Sequence, residues 1–293
     1  MLSVILPALD EEEGIGKTLD ELQSALDTAG IPAEVIVVDD GSTDRTAAIA
    51  TRPGVTVLRH PVPVGYGRSL KDGIRQARYD LIAIADADGT YPVREIPRLA
   101  KLADGFDMVV GARSGPEFRG SFAKFPARKL FQWLVEFSVG RRIPDANSGL
   151  RIMRKQTVLR FLPTLSDGFS FTTTLTMAML LNACFVAFVP ISYGARAGRS
   201  KIRLFRDTLR TAQVVVESIL YYNPIKLFLL LALGLWLGSV GLGVSALLAV
   251  RGLSLGIAAT AFFLCGCLVF ALGLVADLLR RIMQREIVPG RSG

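Results

Sequence analysis

The segment Ile82-Ala83-Ile84-Ala85-Asp86-Ala87-Asp88-Gly89-Thr90 carries the most specific chemistry in the chain. An apolar strand runs into two carboxylates and then a glycine turn. Successive strand side chains alternate faces, so the spacing predicts that Asp86 and Asp88 point the same way. Two carboxylates on one side of a strand end suit a hard divalent cation, Mg2+ or Mn2+, that also binds phosphate oxygens. Such a cation offsets the charge that develops on a departing diphosphate. Two more acidic clusters, Asp10-Glu11 and Asp39-Asp40, follow other apolar runs. Asp39 is placed to hydrogen-bond a nucleoside, and Glu11 to accept from its base or ribose.

The cations fit the other half of such a reaction. Transfer to an alcohol would need a well-placed base, and the one histidine, His60, follows the strand-like run Val55–Leu58 and reads as a loop-ordering residue. A phosphate monoester needs no strong base, because its second pKa is about 6 and it is already mostly ionised at neutral pH. Arg113, Arg128, Arg151, Arg199 and Lys201 are available to hold it, and the arginine fork matches phosphate geometry. Arg113 and Arg151 are the preferred pair, since they follow a strand end and a turn motif.

These residues need a frame. Strands are expected at Val4–Leu9, Glu34–Asp39, Val55–Leu58, Leu81–Ala85 and Met108–Gly111, and helices at Glu12–Ala29, Thr43–Ala50, Gly67–Ala77 and Val93–Ala103. That alternation predicts an α/β architecture, a mainly parallel sheet with helices on both faces. Ligands in such sheets bind at the carboxyl ends of the strands, where all three acidic clusters fall. Residues 118–140 read as a basic amphipathic helix with interleaved aromatics, suited to a lipid headgroup surface. Asp145–Arg151 is turn-rich and enters a new element; Phe169–Leu181 reads as a helix and Phe185–Ile191 as a strand.

The C-terminal part has another character. The chain has 293 residues, 51% hydrophobic, with a net charge of +8. Leu227–Val250 and Leu253–Leu279 each match a bilayer core in length and carry no charge until Asp277. Only Arg251-Gly252 separates them, so they predict a helical hairpin. Basic residues crowd before the first span, from Arg196 to Arg210, and Arg280, Arg281 and Arg285 follow the second. The positive-inside rule then places both termini in the cytoplasm, at a cytoplasmic (inner) membrane. The N-terminus reads as no signal peptide, because acids at Asp10–Glu13 interrupt any apolar core. The positive charge is explained by membrane topology and anionic lipid; no nucleic-acid motif accompanies it, so no nucleic-acid partner is expected. Cys184, Cys265 and Cys267 read as small apolar fillers. Gly234, Gly238, Gly241 and Gly243 would permit close helix packing, including self-association between protomers.

Together the segments Leu6–Glu11, Val37–Asp44, Ala85–Asp88, Gly111–Arg113, Asn147–Arg151 and Arg199–Ile202 resemble the family-2 glycosyltransferases of GT-A fold. Within them the pattern is similar to the polyprenyl-phosphate glycosyltransferases, which include dolichyl-phosphate mannose synthases and bacterial two-span transferases. The resemblance implies inverting transfer of one sugar from a nucleotide-diphosphate sugar to polyprenyl phosphate, with a UDP-sugar favoured and GDP-mannose a second donor. It implies that Pro7, Leu9, Glu11, Asp39 and Asp86 line the nucleotide and that Asp86 and Asp88 serve the metal. It implies that Arg113, with Arg128, Lys129, Ser148, Arg199 and Lys201, holds the acceptor phosphate. Two positions differ from the pattern: Leu9-Asp10 stands where Tyr-Asn is frequent, and Thr90 where the mannose synthases often carry Gln. The expected organisation is a GT-A, Rossmann-like catalytic domain over 1–195, a basic juxtamembrane segment over 196–224, two spans over 225–281 and a cytoplasmic tail over 282–293. A processive polysaccharide synthase would need more spans and a Gln-x-x-Arg-Trp motif, and neither is present. A catalytically silent nucleotide-binding scaffold would not need its acidic clusters intact.

Overall fold

The computed structural model describes residues 1–115, 125–194, 223–248 and 252–287, with positions 213, 216, 219 and 220 besides. The chain forms two compact units, Met1–Val215 and Val216–Gly293. In the first unit, strands and helices alternate from the N-terminus. They are β1 (Leu2–Ala8), α1 (Ile15–Ala29), β2 (Ala33–Asp39), α2 (Thr46–Ala50), β3 (Val55–Arg59), α3 (Tyr66–Gln76) and β4 (Leu81–Ile84). A 3-10 turn at Val93–Glu95 leads into α4 (Ile96–Leu102), then β5 (Met108–Ser114), α5 (Phe125–Val139), β6 (Arg151–Arg154), α6 (Lys155–Phe161), α7 (Phe171–Leu181) and β7 (Val186–Ser192).

The sheet order is β3-β2-β1-β4-β6-β5-β7. β1 is buried along its whole length, as a central strand covered on both faces must be, which explains its nearly unbroken apolar sequence. Pro7 is tolerated there because the ladder to β4 has ended by Ile5, which pairs with Ile84; a proline has no amide hydrogen to give. The pairs β1/β2, β1/β4, β2/β3 and β5/β7 are parallel.

One strand departs from the expected plan. β6 lies antiparallel between β4 and β5, so the sheet is mixed, though mostly parallel. This insertion positions the candidate site. Ile84 pairs with Arg151, and the same antiparallel register carried two residues further sets Asp86 against Gly149. A parallel strand would have sent residues 147–150 to the opposite edge of the sheet.

Helix α3 packs tightly on the sheet through Gly73. A Cβ there would come within 2.5 Å of Ile5 Cγ2 and 3.1 Å of Val38 Cγ2. Gly73→Ala gains up to about 1 kcal/mol of helix propensity, but overpacking a core costs about 1–3 kcal/mol. The variant is expected to melt a few degrees below the parent in a thermal scan; a higher melting point would contradict the close approach.

In the second unit, α8 (Pro224–Leu248) and α9 (Gly252–Ile287) pack against each other. Only 6% and 17% of their most apolar windows are buried. The core helix of a soluble protein would bury most of that surface, so these helices have the length and exposure of membrane spans. Glycine fits bulky partners within the pair: a Cβ on Gly266 or Gly273 would come within 2.5 Å of Trp236 or Phe228. Gly238 meets Phe262, whereas an added Cβ on Gly234, Gly241 or Gly243 meets nothing within 4 Å. The close packing foreseen for that glycine set is therefore made, within this pair, by Gly238 with Gly266 and Gly273.

Candidate active site

The carboxyl ends of β1, β2 and β4 bring the three acidic clusters to one edge of the sheet, and the clusters divide by role. Asp10 has φ 46°, a backbone region that Asp tolerates better than most residues. Its Oδ1 accepts from Thr43 N at 2.8 Å and Thr43 Oγ1 at 3.2 Å, while its own N–H donates to Ser42 Oγ. Glu11 N donates to Thr46 Oγ1 at 2.7 Å. The loops after β1 and β2 are thus laced together. Pro7 is buried at the end of β1, and Leu9 and Glu11 are half-buried beyond it.

Asp39 is fully buried. Its Oδ1 accepts from Ser42 N, and Arg59 Nε lies 3.1 Å from Oδ2, at an angle too poor to satisfy that oxygen as a hydrogen bond. Asp40 instead holds the approach to α3: it accepts from Val64 N and Gly65 N at 2.9 Å each, and lies 2.8 Å from His60 Nδ1. His60 orders this loop, as its position predicts. A cleft of about 460 Å³ lies over Gly41, Ser42, Thr43, Arg59, His60 and Pro61.

β4 ends at Ile84, so Asp86 and Asp88 sit in the turn beyond it, not in the pleat. Strand alternation does not orient them; two different devices do. Asp88, almost buried, is fixed locally, its Oδ1 accepting from Thr90 N at 3.1 Å and Thr90 Oγ1 at 2.6 Å. Thr90 therefore acts on Asp88 itself. Asp86 is fixed by distant chain: the Tyr66 hydroxyl donates to its Oδ1 at 2.8 Å, and Gly149 leaves no room beside its carboxylate. Burial first, and then the Asp86 charge, push the Tyr66 and Tyr91 phenols above their ordinary pKa, so both remain protonated. Tyr91 Oη accepts from Gly149 N at 2.7 Å.

Among the described residues, no three His, Cys, Asp or Glu side chains cluster as a complete metal cage. A pair of carboxylates fits Mg2+ or Mn2+ only where ligand phosphates supply further oxygens, the usual mode for magnesium. Asp86 and Asp88 are the pair that would hold such an ion, jointly with a diphosphate.

The basic residues are rearranged relative to expectation. Arg113, at the end of β5, forms a two-pronged pair with Asp145 through Nε at 2.7 Å and Nη2 at 2.9 Å. Its guanidinium carbon stands 5.4 Å from the centre of the Tyr193 ring. Burial alone would lower its pKa; the Asp145 hydrogen bonds overcome that and raise it. Arg151, expected at the acceptor phosphate, is fully buried. Its Nε donates to Ser148 O, Nη1 to Thr176 Oγ1 and Nη2 to Ala146 O, each at 2.8 Å. Burial lowers its pKa to about 10. Ser148 is also fully buried, donating to Gly111 O. Both correct the sequence reading: they build the 145–150 loop and have no exposed surface for an acceptor. Lys129 is exposed on α5. The Arg128 side chain, Arg199 and Lys201 lie outside the described residues.

Sequence reasoning missed Tyr66, Tyr91, Asp145 and Tyr193 as site residues, and gave Gly149 no role. A weak signal existed for Tyr66, an aromatic between Gly65 and Gly67 at a helix start.

The sequence pattern described as glycosyl transferase family 2 matches residues 3–160. The low-salt glycan biosynthesis hexosyltransferase Agl6 of Haloferax volcanii is 30% identical over 223 residues, 74% of this chain and 53% of that protein. The dolichyl-phosphate hexose transferase of the same organism is 30% identical over 219 residues, 74% of this chain and 92% of its own length. The undecaprenyl-phosphate 4-deoxy-4-formamido-L-arabinose transferase of Edwardsiella ictaluri is 30% identical over 185 residues, 58% of this chain and 56% of that one. The chain thus spans only about half the length of the first and third of these relatives. Glucosyl-3-phosphoglycerate synthase from Mycobacterium tuberculosis superposes with a TM-score of 0.62 at 22% identity, over 75% of this chain and 78% of that one, a likeness of fold. The sheet is accordingly GT-A-like, as expected. The family pattern covers more than half of the residues and places the Asp86–Asp88 turn within it, so the chain belongs to glycosyl transferase family 2.

Proposed function

We propose that the protein transfers one sugar, with inversion, from a nucleotide-diphosphate sugar to a polyprenyl phosphate at the cytoplasmic face of a membrane. The observation that carries this reading is the Asp86–Asp88 pair, held by separate devices at the ligand-binding edge of a GT-A-like sheet, in a chain with two membrane-length helices. Three relatives, each 30% identical to this chain over the aligned part, are named as hexosyl, dolichyl-phosphate hexose and undecaprenyl-phosphate sugar transferases.

In the reaction an acceptor phosphate oxygen forms the new bond to the anomeric carbon. The bond from that carbon to the diphosphate oxygen breaks, and its electron pair leaves with the nucleoside diphosphate. A bound divalent metal would supply charge stabilisation for that leaving group. Asp86 and Asp88 would hold that ion and, through it, the diphosphate end. The cleft over Gly41–Thr43 and Arg59 takes the nucleoside, with the buried Asp39 holding Ser42 and Arg59 of its lining and Pro7, Leu9 and Glu11 at and beyond the end of the adjacent strand β1. Arg113, its plane set by Asp145, faces the acceptor phosphate, with Lys129, Arg128, Arg199 and Lys201 as further cations. Residues 1–195 form the cytoplasmic catalytic domain, 196–224 the juxtamembrane segment, 225–281 the spans and 282–293 the tail, in an inner membrane. Self-association would use Gly234 and Gly241, seven residues apart on one face of α8, where an added Cβ meets nothing within 4 Å.

The test is incubation of the full chain in detergent or nanodiscs with labelled UDP-sugars, then GDP-mannose, together with polyprenyl phosphate and Mn2+ or Mg2+. A labelled lipid phosphate sugar is expected, lost with EDTA and restored by excess Mn2+. Absence of labelled lipid with every donor would overturn the reading, and undiminished turnover in EDTA would remove the metal from it.

A further inference from the structure

Asp86 and Asp88 are treated alike by sequence but not by structure. Asp88 takes its orientation from Thr90, two residues along the same turn. Asp86 is reached from far along the chain: the phenol of Tyr66, twenty residues earlier in sequence, donates to its Oδ1 at 2.8 Å. We propose that Tyr66 is the positioning residue for Asp86, aiming that carboxylate at the metal-diphosphate; this rests on the function proposed above.

Tyr66 is mounted rigidly enough for the task. It opens α3 directly after Gly65, which has φ 114°. A Cβ on Gly65 would come within 2.7 Å of Asp167 O, and one on Gly67 within 2.3 Å of Ser166 O. The start of α3 therefore lies directly on the 165–168 segment, a fit that only glycine on both sides of the tyrosine permits. Lys71, one turn further along and buried, pins the same segment by an ion pair to Asp167 at 2.7 Å and a hydrogen bond to Leu165 O at 2.6 Å. Arg68 N donates to Asp167 O. From that segment Phe169 turns back and stacks on the Tyr66 ring, centroids 5.7 Å apart and planes 12° from parallel. The ring is thus held on its face while its hydroxyl meets Asp86 Oδ1 edge-on. Gly149 crowds the same carboxylate, since a Cβ there would come within 2.9 Å of all three of its atoms. A carboxylate that accepts from a fixed hydroxyl and has no room beside it is restricted in rotation.

Groups that orient a metal-binding carboxylate commonly change metal affinity by about 10- to 100-fold when removed. Tyr66→Phe deletes only the donor and keeps the ring, its stack on Phe169 and its volume. The experiment is titration of the full-length detergent-solubilised protein with Mn2+ in the presence of UDP, followed by calorimetry or electron paramagnetic resonance. UDP affinity in EDTA and the melting temperature are measured beside it.

The expected result is about a 10-fold loss of Mn2+ affinity in Tyr66→Phe, with UDP affinity in EDTA and the melting temperature near those of the parent. Unchanged Mn2+ affinity would overturn the assignment. So would an equal loss of UDP affinity in EDTA, because Tyr66 would then serve the nucleotide or the packing generally. If the parent protein itself takes up no Mn2+ with UDP, the proposed function fails and Tyr66 loses its role with it.

Discussion

Asp88→Asn is expected to reduce sugar transfer by about 1,000-fold or more while leaving the fold intact. The substitution removes a charge and little else. Asp88 Oδ1 accepts from both the amide and the hydroxyl of Thr90, and the amide oxygen of asparagine can accept the same two bonds. The turn therefore keeps its geometry. What is lost is half of the negative charge available to a divalent ion from this pair. Stabilisation of a leaving diphosphate by a bound ion is worth several kcal/mol, and about 4 kcal/mol corresponds to a factor of 1,000 in rate. Initial rates with nucleotide sugar and polyprenyl phosphate, at saturating Mn2+, measure the effect; thermal denaturation controls for folding. A rate within tenfold of the parent would take Asp88 out of the chemistry. A melting point many degrees lower would mean that the rate loss says nothing about the metal.

Asp88 also marks how far the sequence could be read. β1, β2 and β4 are legible because a buried parallel strand is a short apolar run, and an acid immediately after it has to lie at the ligand-binding edge. The two membrane-length helices are legible for the same reason: their composition is nearly uniform. Strand alternation, by contrast, does not orient Asp86 and Asp88, since β4 ends before Asp86. β6 could not be read at all. It is four residues long with arginine at both ends, and neither length nor hydrophobicity announces a strand whose identity comes entirely from the neighbours on either side.

That one missed strand accounts for most of the misplaced site residues. Arg151 and Ser148 are residue types that often meet phosphate, and a turn motif around them invites that reading. Once β6 inserts between β4 and β5, both point inward, and the arginine is consumed by carbonyls and a threonine hydroxyl. Arg113 has the converse history. Its position after a strand was readable, but its partner Asp145 lies 32 residues away. Local pattern carries the identity of charged groups; it does not carry which charges neutralise each other across the sheet. Tyr66 escaped because a tyrosine at a helix start reads as packing until Asp86 is seen beside it.

The antiparallel insertion makes one further substitution unusually informative. In Gly149→Ala a single methyl group is expected to cost about 100-fold in transfer rate with a shift of only a few degrees in melting temperature. The register that pairs Ile84 with Arg151 sets residue 149 against residue 86. A Cβ built on Gly149 would lie 2.8 Å from Asp86 Oδ2 and 2.9 Å from its Cγ and Oδ1. Those distances are well inside van der Waals contact, so something must move. The first atoms met belong to a side chain and not to backbone, so the cheaper response is rotation of the Asp86 carboxylate. Rotation draws Oδ1 from the Tyr66 hydroxyl and turns the charge away from the place a diphosphate would occupy. Misplacing a reacting group by about 1 Å can cost 100-fold, whereas the fold loses little, because Gly149 N can still donate to Tyr91. Loss of activity and of Mn2+ affinity together, at nearly constant stability, is the expected signature. A large drop in melting temperature would instead mean that the backbone leading into β6 gave way, and full activity would mean that Asp86 does not need the orientation that Gly149 and Tyr66 impose on it.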